Sequence, residues 1–384
     1  MGHLFPMVPL AWALRAAGHD VMVATAGQGL VAARSGLPAV DVAPRFDRKA
    51  MTDRLRREDP AAADRLGELR YRRLTDLCQA AEFAAFSSMP LVERTIALAT
   101  RWRPEVIVQS QLQGAGLVAA GALGIPVINH HFGIAETAGM AMLLRTHMAA
   151  AFTEHGADVP ARIATIEVAP PSVLDRPAAG WPMRYLPYNG GAVVPDWLTL
   201  PPDPGSPRVA VTFGTVDPRR DSGPVRRVID TAAMVDAEFV LALGHVDVED
   251  LGPLPANVRV VGWVPLTALL PSCAAIVHHG GAGTTLTALA CGVPQVVFPG
   301  PMDRHINATA IARRGVGTAT ELDHFGPATL REVLTDVRMR RAAGEVRAEI
   351  AAMPGPADLV ARVVEFAAGA DADRPRRHYS TLRS

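Results

Sequence analysis

Short apolar runs alternate along the chain with longer stretches of helical composition, and the series occurs twice. Apolar runs bounded by glycine or proline predict buried strands, whereas apolar positions three and four apart predict helices. The predicted strands are residues 20–25, 38–42, 106–109 and 126–130 in the first half and residues 209–213, 239–243, 258–261, 274–277 and 295–298 in the second. This pattern predicts an α/β protein with two parallel sheets, each between layers of helices.

A segment dense in proline and glycine, residues 196–207, separates the two halves. Proline and glycine at this density interrupt both patterns, which is typical of a linker. The predicted organisation is a first domain at residues 1–195, the linker, a second domain at residues 208–352, a helical segment at residues 353–369 and a polar tail at residues 370–384 that we expect to be disordered.

Residues 277–292, V-H-H-G-G-A-G-T-T-L-T-A-L-A-C-G, join a predicted strand to a predicted helix through a glycine-rich turn. Such a turn lets the backbone approach a ligand, and the free N–H groups and dipole at the start of the helix favour an anion. The sequence therefore predicts a phosphate site, against the alternative of an ordinary turn with incidental histidines. The predicted contacts are Gly280, Gly281, Gly283, the hydroxyls of Thr284 and Thr285, and a donor on His279.

The composition limits the class of function. The 384 residues suffice for about two domains, and 38 basic and 38 acidic residues leave no net charge to gather nucleic acid. No apolar run approaches the about 18 residues of a membrane span, and the beginning does not have the pattern of a signal peptide. We expect a cytoplasmic protein whose three cysteines are buried thiols and not metal ligands or disulfides: Cys78, Cys273 and Cys291.

Several motifs together resemble a known family. The run at residues 278–285 is followed by Gly292-Val293-Pro294-Gln295, Phe298-Pro299 and Asp303, and the chain starts with Gly2-His3-Leu4-Phe5-Pro6. These residues resemble GT-B glycosyltransferases that use nucleotide-activated sugars, particularly the calicheamicin-type enzymes of actinobacterial natural-product pathways. The resemblance covers most of the chain. It implies two Rossmann-like domains facing across a cleft, with the last helix crossing back onto the first domain.

The beginning of the chain departs from the family pattern. There, a short apolar strand and a glycine turn precede the G-H-x-x-P motif, whereas Met1 here stands directly before Gly2 and His3. We expect the first sheet to lack a middle strand and to leave neighbouring strands with unpaired backbone groups. A misassigned start codon is the explanation that we favour, and the intact mass of the native protein tests it.

The resemblance implies that His3 is the general base, against the alternative of an exposed terminal histidine. An imidazole with an ordinary pKa of about 6.5 can accept a proton from an acceptor hydroxyl. Family members usually place a carboxylate where this chain has Ser110, which can orient an imidazole but cannot balance its charge. Either another acid, such as Glu136, takes over, or the acceptor hydroxyl is acidic enough to need less help. We expect Ser110→Asp to leave activity unchanged or raise it.

The resemblance also implies how the nucleotide binds. Trp263 matches the tryptophan that stacks on the base, although a core tryptophan is the alternative, and Val264 would offer backbone hydrogen bonds to the base edge. UDP-glucose-using relatives bind both ribose hydroxyls with a glutamate where this chain has Thr287. Because threonine cannot accept a bidentate pair of bonds, we expect a dTDP-sugar.

The sugar contacts are matched in the same way. Asp303 would accept hydrogen bonds from sugar hydroxyls, but Arg304 stands where a glutamine usually follows, which favours a deoxy or modified sugar. Thr215 would face the sugar and phosphates. The implied mechanism is a single inverting displacement in which the diphosphate leaves onto His279 and the helix start. This arrangement needs no metal or other cofactor, the dTDP-sugar being a co-substrate.

The acceptor is expected to be a hydrophobic small molecule, such as a polyketide, enediyne or macrolide aglycone. Residues 139–144, with Met148 and Phe152, predict a helix that either lines the aglycone pocket or forms part of the core. Residues 45–100 have helical composition and form either an insertion that shapes the acceptor side or a solvated helical pair. A homodimer is compatible with the sequence.

Two other functions remain open from the sequence. One is a nucleotide-sugar epimerase with the same fold, which would turn over its donor without an acceptor. The other is a catalytically silent partner of a second glycosyltransferase, suggested by the missing strand and by Ser110, although such a partner would normally lose the phosphate motif that is intact here.

Overall fold

The structure is a computed structural model that describes residues 2–178, 180–200, 205–214, 223–244 and 251–369. The strands of the first domain are β1 (Val23–Thr25), β2 (Ala39–Asp41), β3 (Ile107–Ser110), β4 (Val127–His130), β5 (Ile163–Glu167) and β6 (Trp181–Pro182). Its helices are α1 (Val8–Ala16), α2 (Arg48–Glu58), α3 (Pro60–Leu69), α4 (Ala81–Ser88), α5 (Val92–Trp102), α6 (Gly114–Leu123), α7 (Met140–His147) and α8 (Ala149–Glu154).

A short helix, α9 (Asp196–Thr199), leads into the second domain. The strands there are β7 (Arg208–Thr212), β8 (Glu238–Ala242), β9 (Val258–Val261), β10 (Ala275–His278), β11 (Gln295–Val297) and β12 (Gly317–Ala319). The helices are α10 (Gly223–Ala232), α11 (Leu266–Leu269), α12 (Ala282–Cys291), α13 (Arg304–Arg314), α14 (Pro327–Thr335), α15 (Val337–Ala352) and α16 (Val360–Ala368).

The second domain has one continuous parallel sheet of six strands in the order β12-β11-β10-β7-β8-β9. Its central strands β7 and β10 are buried along their whole length. Strands covered by helices on both faces carry nearly continuous apolar runs, so their positions could be predicted from the sequence. The predicted α/β class with parallel sheets is confirmed.

The sheet of the first domain is divided. Strands β3, β4, β5 and β6 form one parallel sheet, and β1 pairs only with β2 in a separate one. Among the described residues, β1 and β3 therefore each have an edge without a strand partner. A cavity of about 770 Å³, lined by both strands and by α1, lies between these edges. The expected unpaired strand edges are thus present.

Residues 45–100 are mainly helical, as predicted, and they contact the second domain through the segment that follows α3. Met302 N–H donates to Arg72 O (2.7 Å) and Leu74 N–H donates to Met302 O (3.2 Å), which makes a short parallel bridge between the domains. The guanidinium of Arg73 adds an ion pair to Glu321 at 2.7 Å. Met302 has φ +61°, a left-handed conformation that the bridge holds in place.

The last helix, α16, packs against the first domain. Phe366 contacts Trp181 edge to face with ring centroids 5.6 Å apart, and the Arg162 guanidinium lies 4.7 Å from the Phe366 ring. No helix in the described ranges is long and apolar enough to cross a membrane. The three cysteines are free and partly buried.

Candidate active site

A cavity of about 330 Å³ lies between the domains, at the carboxyl ends of β7 and β10. Most of the predicted site residues line it: His3, Trp263, Val264, His279, Gly281, Gly283, Thr284, Asp303 and Arg304. Ser110 does not line this cavity, but its Oγ lies 3.4 Å from Nδ1 of His3. Thr215 lies outside the described residues. The turn at the start of the chain and the glycine turn after β10 therefore face one cavity, although more than 270 residues separate them in sequence.

His3 precedes the short helical turn that leads into α1 and opens into the cavity. Its Nδ1 lies 3.4 Å from Ser110 Oγ, and its ring stacks on Phe132 with centroids 4.0 Å apart and planes inclined by 12°. In the tautomer whose Nδ1–H donates to Ser110, Nε2 keeps its lone pair. Protein atoms surround the ring, and this loss of hydration lowers the pKa of His3 to about 4, so the imidazole is neutral at pH 7.

Glu136 does not replace the carboxylate missing at Ser110. Its Oε1 accepts the backbone N–H groups of Thr137 (2.6 Å) and Ala138 (2.7 Å), and its Oε2 lies 2.8 Å from Arg176 Nε. The side chain is therefore committed to holding its own loop, and no hydrogen bond from it to His3 is present in the described part of the chain.

Buried polar side chains hold the glycine turn after β10. Gly280 N–H donates to His278 Nδ1 (3.1 Å), which leaves Nε2–H of His278 to donate to Gln295 Oε1 (2.8 Å). Asn307 Nδ2 donates to Gly280 O at 2.8 Å. Gly280 has φ +81°, and a side chain there would meet the backbone of Arg304 at 2.9 Å. Gly280 thus forms the turn but does not itself line the cavity.

His279 projects from this turn and is packed between two glycines. A Cβ on Gly214 would lie 2.6 Å from the ring, and one on Gly281 would lie 2.5 Å from Nε2. Burial, with the nearby charge of Arg304, lowers the pKa of His279 to about 3. His279 is therefore a neutral ring at pH 7, and its contact with the backbone of Thr212 opposes the lowering only in part. The glycines on either side fix this ring at the edge of the cavity.

Helix α12 begins immediately after the turn, with Gly281 at its N-cap and no side-chain cap among the described residues. The first N–H groups of the helix thus remain available to an anion. Thr284 lines the cavity, but the predicted contact through the Thr285 hydroxyl is wrong. Thr285 is fully buried and its hydroxyl donates to Gly281 O (3.0 Å), because one residue along a helix rotates the side chain by about 100° away from the cavity.

Trp263 is 43% exposed and forms a wall of the cavity, so it is not a core tryptophan. Thr287 is fully buried, and its hydroxyl donates to Gly283 O (2.6 Å). Asn189 Nδ2 approaches the Thr287 hydroxyl at 3.5 Å, while Asn189 Oδ1 accepts the backbone N–H of Thr267 at 3.1 Å. The polar groups of Thr287 and Asn189 in this corner already have partners within the protein.

The residues that line the cavity and that sequence reasoning missed include Tyr185, Tyr188 and Asn189. They belong to the first domain by position but line the cavity beside residues of the second domain. The next residue, Gly190, has φ +79°, and a Cβ on it would lie 3.5 Å from the ring of Trp263. Burial raises the pKa of Tyr185 to about 12. The run Tyr188-Asn189-Gly190 before the linker is a turn signal, but nothing local in it indicates which domain it contacts.

Asp303 and Arg304 begin helix α13 and line the cavity. Burial is the largest influence on Asp303 and raises the pKa of its carboxyl, while Asn307 Nδ2 donates to Oδ2 at 3.2 Å. Asp303 is the one carboxylate on the described wall of the cavity. A group that could hold a metal ion, Glu93 with Glu154 and His155, lines neither of the two cavities.

The hypothesis that the stripe on α7 lines an aglycone pocket is wrong. Met140, Leu144, Met148 and Phe152 are at most 2% exposed and form a core cluster with α4 and α6. Met142, on the opposite face, is exposed. The apolar positions at helical spacing pack against neighbouring helices, which is the more common role of such a pattern.

Two family models match the chain: the N-terminal domain of erythromycin biosynthesis protein CIII-like proteins at residues 12–214 and the C-terminal domain at residues 226–366. Elloramycin glycosyltransferase ElmGT of Streptomyces olivaceus is 40% identical over 365 residues, 94% of each chain. The crystal structure of the glycosyltransferase SnogD from Streptomyces nogalater is 40% identical, with a TM-score of 0.81 over 96% of each chain.

A further solved structure contains a nucleotide. The glycosyltransferase SsfS6 of Streptomyces sp. SF2575, complexed with thymidine diphosphate, is 29% identical, with a TM-score of 0.77 over 95% of this chain and 96% of that one. The two family models fall on the two domains, and both domains contain parallel sheets. The chain belongs to the erythromycin biosynthesis protein CIII-like family of GT-B glycosyltransferases.

Proposed function

We propose that this glycosyltransferase moves a deoxysugar from a dTDP-sugar to a hydroxyl of an apolar polyketide-type aglycone, with inversion and without a metal ion. The observation that carries the proposal is that a neutral His3 and the glycine turn at His279, next to the start of α12, line the same cavity. A base and a leaving-group site on either side of one space suit a single displacement at a sugar carbon.

In this mechanism, Nε2 of His3 removes the proton of the acceptor hydroxyl while that oxygen attacks the anomeric carbon. Ser110 orients the imidazole through Nδ1. The diphosphate leaves toward His279, Thr284 and the first N–H groups of α12, whose partial positive charge stabilises it. The positive charge of Arg304 and these dipoles serve the role that a metal ion has in other transferases, and Asp303 would hold the sugar hydroxyls.

The expected preference for dTDP over UDP follows from the surroundings of Thr287. Trp263 would stack on the base, with Val264 at its edge. The hydroxyl of Thr287 is buried and bonded to Gly283 O, and Asn189 is bonded to Thr267 N–H. Thr287 is fully buried and does not line the cavity, and a threonine cannot accept both ribose hydroxyls as a carboxylate would, so the 2′-hydroxyl of UDP gains no bidentate contact there.

Product analysis tests the proposal. The purified chain is incubated with dTDP-6-deoxysugars and a set of aromatic polyketide and macrolactone aglycones, with and without EDTA, and with His3→Ala beside the wild type. We expect an EDTA-resistant glycoside of inverted anomeric configuration, detected by mass spectrometry and NMR, and a loss of about 10²–10⁴-fold in His3→Ala. Epimerised donor without any glycoside would contradict transfer, and full activity of His3→Ala would contradict the base.

A further inference from the structure

Phe132 lies flat against the ring of His3. The two ring centroids are 4.0 Å apart and the planes differ by 12°, so the face of the phenyl ring covers one face of the imidazole. Phe132 is 4% exposed and lines the cavity together with His3. This contact joins the start of the chain to the segment after β4, and no motif in the sequence indicates it.

The segment that carries Phe132 is held at both ends by polar and charged side chains. At one end, Nδ1 of His131 lies 3.2 Å from Glu167 Oε2, and both side chains are nearly inaccessible to water. Arg176 lies 3.0 Å from the same carboxylate and 2.8 Å from Glu136 at the other end of the segment. Phe132 is therefore held in place independently of His3, and its ring can set the orientation of the imidazole.

The site has an unbalanced charge when His3 takes a proton. Ser110, the polar partner of Nδ1, is uncharged. The charged groups that share the cavity, Asp303 and Arg304, are on the wall formed by the second domain. Phe132 is the group in direct contact with the ring face, and an aromatic face attracts a cation.

We propose that Phe132 is a positioning residue for the general base: its ring face orients His3 and stabilises the imidazolium that forms during transfer. The inference rests on the proposed role of His3. The acceptor O–H bond breaks and its proton passes to Nε2. The acceptor oxygen forms the new bond to the anomeric carbon, and the diphosphate leaves with the electrons of the old C–O bond. The positive charge then lies on the ring that Phe132 covers.

Phe132→Leu keeps an apolar side chain but removes the aromatic face, whereas Phe132→Tyr keeps the face. We expect Phe132→Leu to lower kcat about 5- to 30-fold, the range of a desolvated cation–π contact, with the dTDP Kd within about twofold of wild type. Phe132→Tyr should retain most of the activity. Ser110→Asp, which supplies a carboxylate, should restore most of the kcat of Phe132→Leu.

A pH profile separates this role from simple packing. Ser110→Asp brings the acid limb of kcat/KM into an accessible range, and adding Phe132→Leu should move that limb to lower pH, since the imidazolium loses a stabilising contact. Phe152→Leu is the matched control: Phe152 belongs to the same core cluster, is fully buried and lines neither cavity. It should lower the melting temperature without changing kcat or the limb.

Two results would overturn the role of Phe132. One is an unchanged kcat in Phe132→Leu, together with an unchanged acid limb of kcat/KM when Phe132→Leu is added to Ser110→Asp. The other is a loss that Phe132→Tyr shares equally and that Ser110→Asp does not restore, because packing alone would then explain it. His3→Ala separates these outcomes from failure of the proposed mechanism, since an active His3→Ala protein would remove the base itself.

Discussion

Both domains have parallel sheets covered by helices, but the sheet is continuous in the second domain and divided in the first. In the second domain, six parallel strands form one sheet, and the glycine turn after β10 has its peptide groups bonded by His278 and Asn307. In the first domain, β1 and β3 face a cavity of about 770 Å³ in place of a shared strand, and His3 has Ser110 in place of a carboxylate. The sheet of the second domain is thus continuous, and that of the first domain is divided.

This difference indicates where each half obtains its function. In the proposed mechanism, the second domain positions phosphate through backbone geometry, so activity should depend on glycines and buried hydrogen bonds that tolerate little change. The first domain holds His3, the proposed base, through side-chain contacts with Ser110 and Phe132, which substitutions can weaken or strengthen. We therefore expect large losses from small changes in the second domain and graded effects in the first.

The largest effect is expected at His279. Because the proposed mechanism places the neutral ring of His279 against the developing charge of the diphosphate, His279→Ala should lower kcat about 10²–10³-fold, as for the loss of one preorganised donor. Steady-state kinetics with a saturating dTDP-sugar measure this. His324→Ala, in a short turn before α14 and outside both cavities, is the control. A loss of less than about threefold in His279→Ala would remove His279 from the mechanism.

Gly214→Ala tests the packing around the same ring. Gly214 has φ +73°, and a Cβ would meet His279 at 2.6 Å, so the ring must move. We expect about tenfold or greater losses in kcat, together with the about 1–2 kcal/mol cost of a left-handed alanine. Gly315→Ala is the matched control, because Gly315 has φ +71° and open space for a Cβ. Equal activity in both variants would show that the ring tolerates the displacement.

Core truncations compare the two sheets directly. Ile276, in β10, is fully buried between neighbouring strands, whereas Ile107, in β3, borders the cavity beside β1. Ile276→Ala should cost about 3–5 kcal/mol of unfolding free energy and Ile107→Ala about 1–2 kcal/mol, because atoms beside an existing cavity lose fewer contacts. Chemical denaturation measures both. Equal costs would mean that the cavity between β1 and β3 is filled in solution.

Ser110→Asp should have the smallest effect on kcat, within about tenfold and not below wild type. Since catalysis needs neutral His3, whose pKa is about 4, kcat/KM should fall as the pH drops through that value. A neighbouring carboxylate favours the imidazolium and raises this pKa, so the acid limb should move to higher pH. Ser110→Asn, which is uncharged, should leave the limb in place. A large loss in Ser110→Asp would mean that the carboxylate does not fit beside His3.

The sequence predicted the second domain better than the first, for physical reasons. The doubly covered strands β7 and β10 give unmistakable apolar runs, and the turn residues Gly280, Gly281 and His279 are contiguous. The wrong predictions concern the direction in which a side chain points, which composition does not encode. Thr285 points into the fold although Thr284 does not, and the α7 stripe packs against helices distant in sequence.

The pairing of His3 with Ser110 was predicted through resemblance alone, since 107 residues separate them. The contact with Phe132 was not predicted, because no periodicity indicates which side chain will cover a ring from another segment. The same holds for Tyr185, Tyr188 and Asn189, which reach the donor side from a first-domain segment.

Calorimetric titration of the purified chain with dTDP and with UDP tests the central claim, that the cavity between the two domains is a donor site for dTDP. With Thr287 and Asn189 already bonded within the protein, we predict that dTDP binds at least about tenfold more tightly than UDP, a difference of about 1.4 kcal/mol. Equal or tighter binding of UDP, or no binding of dTDP by the folded protein, would contradict the account.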